Sequence, residues 1–209
     1  LELLESESFD LVVAGTHQRK GTDRLAHPVS LSRALLRSSP TNVLLVPRPL
    51  SVQPLPGGGI SRVLVATDLS WESNQAIAPG YGMLPRGGVL RLLHVVHPRA
   101  LPHGEFDQGL SRRASQAEHA EVLRECRAKL EDLALSESDA PGVTTEFEIV
   151  EHAQPAVAIA QAAERFGADV VCLAAHRPDS LFGRLFKTQL HAVMAKTNRT
   201  LLIVHPSPP

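Results

Sequence analysis

The residues best suited to chemistry in this chain follow apolar runs of strand length. Behind Val170–Ala174 come His176, Arg177, Arg184 and Lys187, a basic stretch closed by Thr188. Lysine and arginine hold phosphate oxygens through charge-assisted hydrogen bonds, and a hydroxyl that opens a helix adds the helix N-terminus to an anion site. Behind Arg62–Thr67 come Asp68 and Ser70. An aspartate in that place either caps the following helix or meets a ligand, and both readings stand. Ten histidines invite a metal, yet His94, His97 and His103 have the ligand spacing of no known site type. The catalytic signatures are missing: no Gly-x-Ser-x-Gly elbow, no Cys/His arrangement and no Gly-x4-Gly-Lys-Ser/Thr phosphate loop.

The elements that must position these residues alternate between strand and helix. Arg62–Thr67 reads as an apolar strand, followed by a helical pattern over 71–84. Gly87-Gly88 turns the chain into a strand at Val89–Val96. Residues 110–135 read as the longest helix, with Leu110, Ala117, Ala120, Leu123, Leu130 and Leu133 three to four residues apart or multiples of it. Val143–Val150 alternates, with Val143, Thr145, Phe147 and Ile149 on one face, which suits a sheet edge. Pro155 opens a helix over 155–166, and Val170–Ala174, a helix over 188–197 and Leu201–Val204 complete the series. Five strands alternating with helices predict a parallel sheet covered on both faces. The continuously apolar strands at 63–66 and 170–174 should be central. Ligands of such sheets sit beyond the carboxyl ends of strands, where the strand order reverses. The loops Thr67–Ser70, Val96–Pro98 and Ala174–Thr188 are therefore the candidates. Besides Asp68, their only carboxylate is Asp179, so two-carboxylate chemistry has little to work with.

Part of this pattern occurs twice. Residues 10–17 read Asp-Leu-Val-Val-Ala-Gly-Thr-His and residues 169–176 read Asp-Val-Val-Cys-Leu-Ala-Ala-His. Ser30 and Thr188 each open a helical segment, and Val43–Val46 and Leu201–Val204 each close a copy. The offset is 159 at the front (169 − 10) and 158 at the back (188 − 30), so the first copy has one extra loop residue. A repeat at this distance means two related domains. The expectation is the C-terminal part of a first domain at 1–47, a linker at 48–60 and a complete domain at 61–206. The run from Pro47 to Ile60 has four prolines and three glycines, which support neither a helix nor an inner strand.

Composition excludes several classes. A formal net charge of −1 creates no field toward nucleic acid or an anionic membrane. No apolar run reaches the roughly 18–20 residues of a membrane helix. Cys126 and Cys172 show no pairing pattern, which suits reduced thiols and a cytoplasmic location.

The loops resemble those of the universal stress protein family. Val65-Ala66-Thr67-Asp68-Leu69-Ser70 is similar to the family's opening strand and its sequel, Leu92-Leu93-His94-Val95-Val96 to its second strand, and Asp169–His176 to its fourth. The resemblance covers 61–206 in full and 9–47 as the last third of a preceding copy. It implies the strand order 3-2-1-4-5 and a stress-response or regulatory module, not an enzyme, acting by dimerisation and binding of unknown protein partners. It also implies self-association through the last strands, 43–46 against 201–204. In the nucleotide-binding branch a Gly-x2-Gly-x9-Gly-Ser/Thr signature follows the fourth strand, its glycines letting backbone amides meet a triphosphate. Here those positions hold Ala174, Arg177 and Lys187 before Thr188, and in the first copy Gly15, Gln18 and Val29 before Ser30. The implied nucleotide residues are Ala66, Thr67, Asp68, Val95, Ala174, His176, Arg177, Lys187 and Thr188. ATP is the cofactor the resemblance brings, held poorly in the usual pose because side chains stand where amides should approach. The alternative is an ATP-binding switch or weak ATPase of the same fold.

Overall fold

The computed structural model describes residues 9–16, 35, 39–47, 59–98, 110–175 and 190–206, with the side chains of 110–115 left aside. Seven strands form one sheet. In chain order they are β1 (Leu11–Thr16), β2 (Asn42–Pro47), β3 (Arg62–Thr67), β4 (Val89–Val96), β5 (Thr144–Glu151), β6 (Val170–Ala174) and β7 (Thr200–Val204). Their spatial order is β1-β2-β7-β6-β3-β4-β5. From β5 to β7 every pairing is parallel, in the order 3-2-1-4-5 when these five strands are numbered among themselves. β1 and β2 pair in parallel, and β2 meets β7 antiparallel through Val43–Ile203, Leu44–Leu202 and Leu45–Leu201.

The sheet is buried where the sequence is continuously apolar. Val63, Leu64 and Val65 of β3 and Val171 and Cys172 of β6 have no exposed surface. Successive side chains alternate between two apolar clusters, one on each face. Leu64, Leu93, Val171, Leu173 and Ile203 belong to the first, with Ala162, Ala163 and Phe166 of helix α4 (Pro155–Phe166) and Leu190 and Val193 of the helical stretch 190–196. Val63, Val65, Leu90, Leu92, Val170 and Cys172 belong to the second, under Ile77, Tyr81 and Leu130. Burial pushes the Cys172 thiol far above its ordinary pKa, so it is a packing group. Helix α4 starts at Pro155 and stops at Gly167, which takes the left-handed conformation (φ 67°) that glycine adopts without a Cβ penalty.

Two expectations fail in an instructive way. The single helix over 71–84 is two short ones, α1 (Trp71–Asn74) and α2 (Ile77–Gly82). Pro79 has no amide to give the carbonyl of Gln75, and its ring crowds that carbonyl, so the chain turns at 75–76. The amides of Gln75 and Ala76 bond only three residues back, to Glu72 and Ser73. The long helix α3 (Leu110–Asp132) keeps Leu130 buried and Leu123 half-buried, but Ala117 and Ala120 are exposed. At 23 residues α3 is about 35 Å long at 1.5 Å per residue, whereas the eight-residue β5 spans about 27 Å. His119 already pairs with Glu151, the last residue of β5, so what precedes it projects past the strand end. The linker at 48–58, the helix opened by Ser30 and the start of the helix at 188–197 lie outside the described residues.

Two tests follow from the packing. A Cβ on Gly80 would stand 2.7 Å from Cγ2 of Val65, a stiff, fully buried side chain, whereas one on Gly82 meets nothing within 4 Å. Gly80→Ala should therefore destabilise the protein by about 1–3 kcal/mol by overpacking, while Gly82→Ala should be neutral or stabilising by up to ~1 kcal/mol. Urea denaturation of the two variants checks this.

The second test concerns His205, whose backbone amide donates to Oδ1 of Asn42 at 3.0 Å beside the β2–β7 junction. Its Nε2 is buried without a partner among the described residues, and burial holds its pKa below the ordinary value. The neutral ring is the form the fold accepts, so its contribution is full above the unfolded pKa of about 6.5 and declines as pH falls below it. Thermal melts from pH 8 to pH 5 should show a drop that is smaller in His205→Leu.

Candidate functional site

The pairing of β3 with β6 stops at Val65–Cys172. On either side the ladders run further, β3 with β4 to Thr67–His94 and β6 with β7 to Ala174–Val204. The two central strands thus stop pairing at the point where the strand order reverses. This is where ligands of open α/β sheets sit. Ala66, Thr67 and Asp68 form one lip, Ala174 the other, and Val95 lies on the neighbouring strand.

The β3 lip is held by a dense polar network. Oγ1 of Thr67, a buried residue, lies 2.8 Å from Oγ of Ser73 and 2.7 Å from Oδ1 of Asn74, and accepts the amide of Leu69 at 2.9 Å. Oδ1 of Asp68 accepts the amide of Ser70 at 2.9 Å and the hydroxyl of Ser73 at 2.5 Å. Oγ of Ser70 accepts the amide of Ser73 at 3.2 Å, the N-cap bond of α1. Leu69 is forced to φ +68°, the sole non-glycine in the left-handed region among the described residues. A ring nitrogen of His94 lies 2.9 Å from the carbonyl oxygen of Thr67, locking the end of β4 to the same turn.

The helix cap is Ser70 rather than Asp68, and one carboxylate oxygen of Asp68 is occupied by two local donors that brace the turn in front of the cap. Ser73 and Asn74, absent from the sequence-based site, are as central as Thr67. The Ser70-x-x-Ser73 spacing, a cap with its third helical residue, is the signal that points to them.

The other lip is less specialised. Ala174 is a fully buried strand residue opposite Val204, with no left-handed backbone, so its conformation does not require glycine. The amide of Ala175 is taken by the carbonyl of Val204 at 2.7 Å. His176, Arg177, Lys187 and Thr188, the phosphate side of the expected site, lie outside the described residues. Among those described, no group of three His, Cys, Asp or Glu side chains is placed to hold a metal ion, and no helix is long and apolar enough to cross a membrane.

Comparison with known proteins bears on this arrangement. None of the curated proteins matches the chain. Among solved structures, the hypothetical protein MJ0577, subject of a structure-based assignment of biochemical function, is 20% identical over 72% of this chain and 99% of its own, with a TM-score of 0.57. A universal stress protein from Archaeoglobus fulgidus is 18% identical over 99% of this chain and 64% of its own (TM-score 0.62). A protein of unknown function, PA1789 from Pseudomonas aeruginosa, is 17% identical over 98% of this chain and 66% of its own (TM-score 0.63). At these identities the likeness is one of fold. The profile of the universal stress protein family matches residues 59–205, from the strand that forms the first lip to the strand beyond the second. The chain belongs to the universal stress protein family.

Proposed function

We propose that this protein is a regulatory, stress-response module that works by association and partner binding, and that its crevice is a degenerate nucleotide site without catalytic activity. The observation that carries the reading is the state of Asp68. It is the sole carboxylate in the described part of the crevice, and its Oδ1 already accepts from Ser70 and Ser73. A general base must be within reach of the proton it abstracts and poised to take it. Asp68 instead serves as structural cement of the turn.

The adenosine side of the site comprises Ala66, Thr67, Asp68 and Val95. Its phosphate side comprises Ala174, His176, Arg177, Lys187 and Thr188. With Arg177 and Lys187 where the family's nucleotide-binding branch has glycines, any anion is held through their side chains rather than through backbone amides. ATP in the family's usual pose is disfavoured, because a Cβ at those positions occupies the amides' line of approach. Association is assigned to the last strands, 43–46 and 201–204.

Calorimetry separates this from an ATP-driven switch. The parent protein should bind Mg-ATP weakly and gain little in Tm, since a ligand present at its own Kd contributes only about 0.4 kcal/mol. Arg177→Gly/Lys187→Gly should bind more tightly. A micromolar Kd for the parent, with no gain in the double variant, contradicts the reading and makes the basic loop a phosphate clamp.

A further inference from the structure

At one end the sheet closes on β5, and among the described strands none lies beyond it. All of β5 is in register with β4, from Thr144 against Val89 to Glu151 against Val96. The amide of Thr144 donates to Gly88 and that of His152 to Val96, so even-numbered residues turn their backbone groups toward β4. Those of Thr145, Phe147 and Ile149 turn outward. The elements around this edge, α3, the turn at 133–143 and α4, all lie within the described residues.

A groove of about 580 Å³ straddles the edge, lined by Arg91, Arg127, Thr145, Glu146, Phe147 and Glu148. On one face Arg127 reaches over from α3. Its Nη1 donates to the outward carbonyl of Phe147 at 3.2 Å, and its guanidinium carbon lies 5.0 Å from the centre of that ring. Its Nε donates to Glu131 at 2.6 Å. The edge thus already seats a basic group, and one on an exposed side chain.

On the other face the carboxylates are used unequally. Glu148 is fully engaged, with Oε1 accepting from Arg165 and Oε2 from Arg91. Glu146 gives only Oε2 to Arg91, at 2.5 and 3.0 Å, and no described residue donates to its Oε1. Its side chain is 43% exposed. The strand itself carries Glu146, Glu148 and Glu151 and no basic residue.

An uncovered strand edge is a template for one more strand. Antiparallel addition, the more stable pairing per residue, sets alternate side chains of the newcomer beside Glu146 on one face and beside half-buried Phe147 and Ile149 on the other. A second copy of β5 suits this poorly. With Phe147 or Glu148 at the centre of such a pair, glutamate meets glutamate across it, and like charges directly opposite are destabilising.

We infer that the β5 edge is the docking site for an extended, basic segment of a protein partner, one that alternates Lys or Arg with apolar residues. The segment adds antiparallel to β5 and displaces Arg127 from the Phe147 carbonyl. Its cations face Oε1 of Glu146, and its apolar side chains lie beside Phe147 and Ile149. This rests on the partner-binding role proposed above and gives that role a surface.

The probe is a fluorescent peptide alternating valine and lysine, as long as β5, followed by anisotropy against the whole chain. It should bind one to one with a Kd below about 1 mM, more weakly as salt rises, and the same peptide with glutamate for lysine should not bind. Glu146→Gln should weaken binding about fivefold, and Arg127→Ala should tighten it about threefold by clearing the Phe147 carbonyl. Directly opposed residues of an antiparallel pair share a face, so the valine amides, opposite Phe147 and Ile149, are those that bond to β5. N-methylation of the valines should abolish binding, and N-methylation of the lysines should spare it. Both substituted side chains reach solvent, so circular dichroism should be unchanged. Absence of binding by the parent overturns the inference, as does equal binding of the glutamate or valine-methylated peptide, or weaker binding by Arg127→Ala. A concentration-dependent dimer of the parent that the peptide dissociates also overturns it, because the edge would then belong to a second copy. Mg-ATP affinity reads the nucleotide site and not this edge, so a failure here is distinguishable from a failure of the proposed function.

Discussion

The structure depends on the antiparallel contact between β2 and β7. Val43, Leu44 and Leu45 meet Ile203, Leu202 and Leu201, all of them apolar, with every one but Leu44 buried. A two-stranded β1–β2 pair is marginal in water, because two strands cannot bury a face by themselves. Joined to β7, it shares the first apolar cluster: Ala14, Leu35, Val43 and Leu45 pack with Leu173, Leu190, Val193 and Ile203. The junction thus extends a five-stranded parallel sheet by two strands and gives the repeat in the sequence a spatial counterpart.

The features legible in the sequence are those set by local chemistry. The continuous apolar runs at 63–66 and 170–174 announce strands buried on both faces, and Pro155 marks the start of α4. What remained hidden depends on relations between distant parts. Pro79 is visible in the sequence, but its effect on Gln75 shows only once the chain has turned there. The alanines of α3 repeat at helical spacing, yet Ala117 and Ala120 are exposed; Ala117 precedes His119, where the helix runs past the end of β5, a relation only the assembled sheet shows.

The site follows the same division. Its location, at the reversal of strand order, follows from the alternation of strands and helices. Its character does not. A lone aspartate after a strand reads equally as cap or ligand contact, and the bonds from Ser70 and Ser73 to Asp68 become visible only in the folded turn. Ala174 is ambiguous in the same way: a glycine serves either a backbone conformation that alanine resists or the close approach of a ligand, and the backbone at 174 demands no left-handed conformation. Membership of the family carries the fold and the general role, while the ligand rests on what Arg177 and Lys187 do.

The most direct measurement of the central claim is hydrogen exchange along the intact chain, read at 42–47 and 200–204. A shared antiparallel ladder within one molecule requires the amides that β2 and β7 exchange across it to open together, while the amides turned toward β1 and β6 keep their own partners. The account predicts matched protection of the amides that face each other across this ladder, at every protein concentration. Rapid exchange at 42–47 beside slow exchange at 200–204, or protection that grows with concentration, would contradict it.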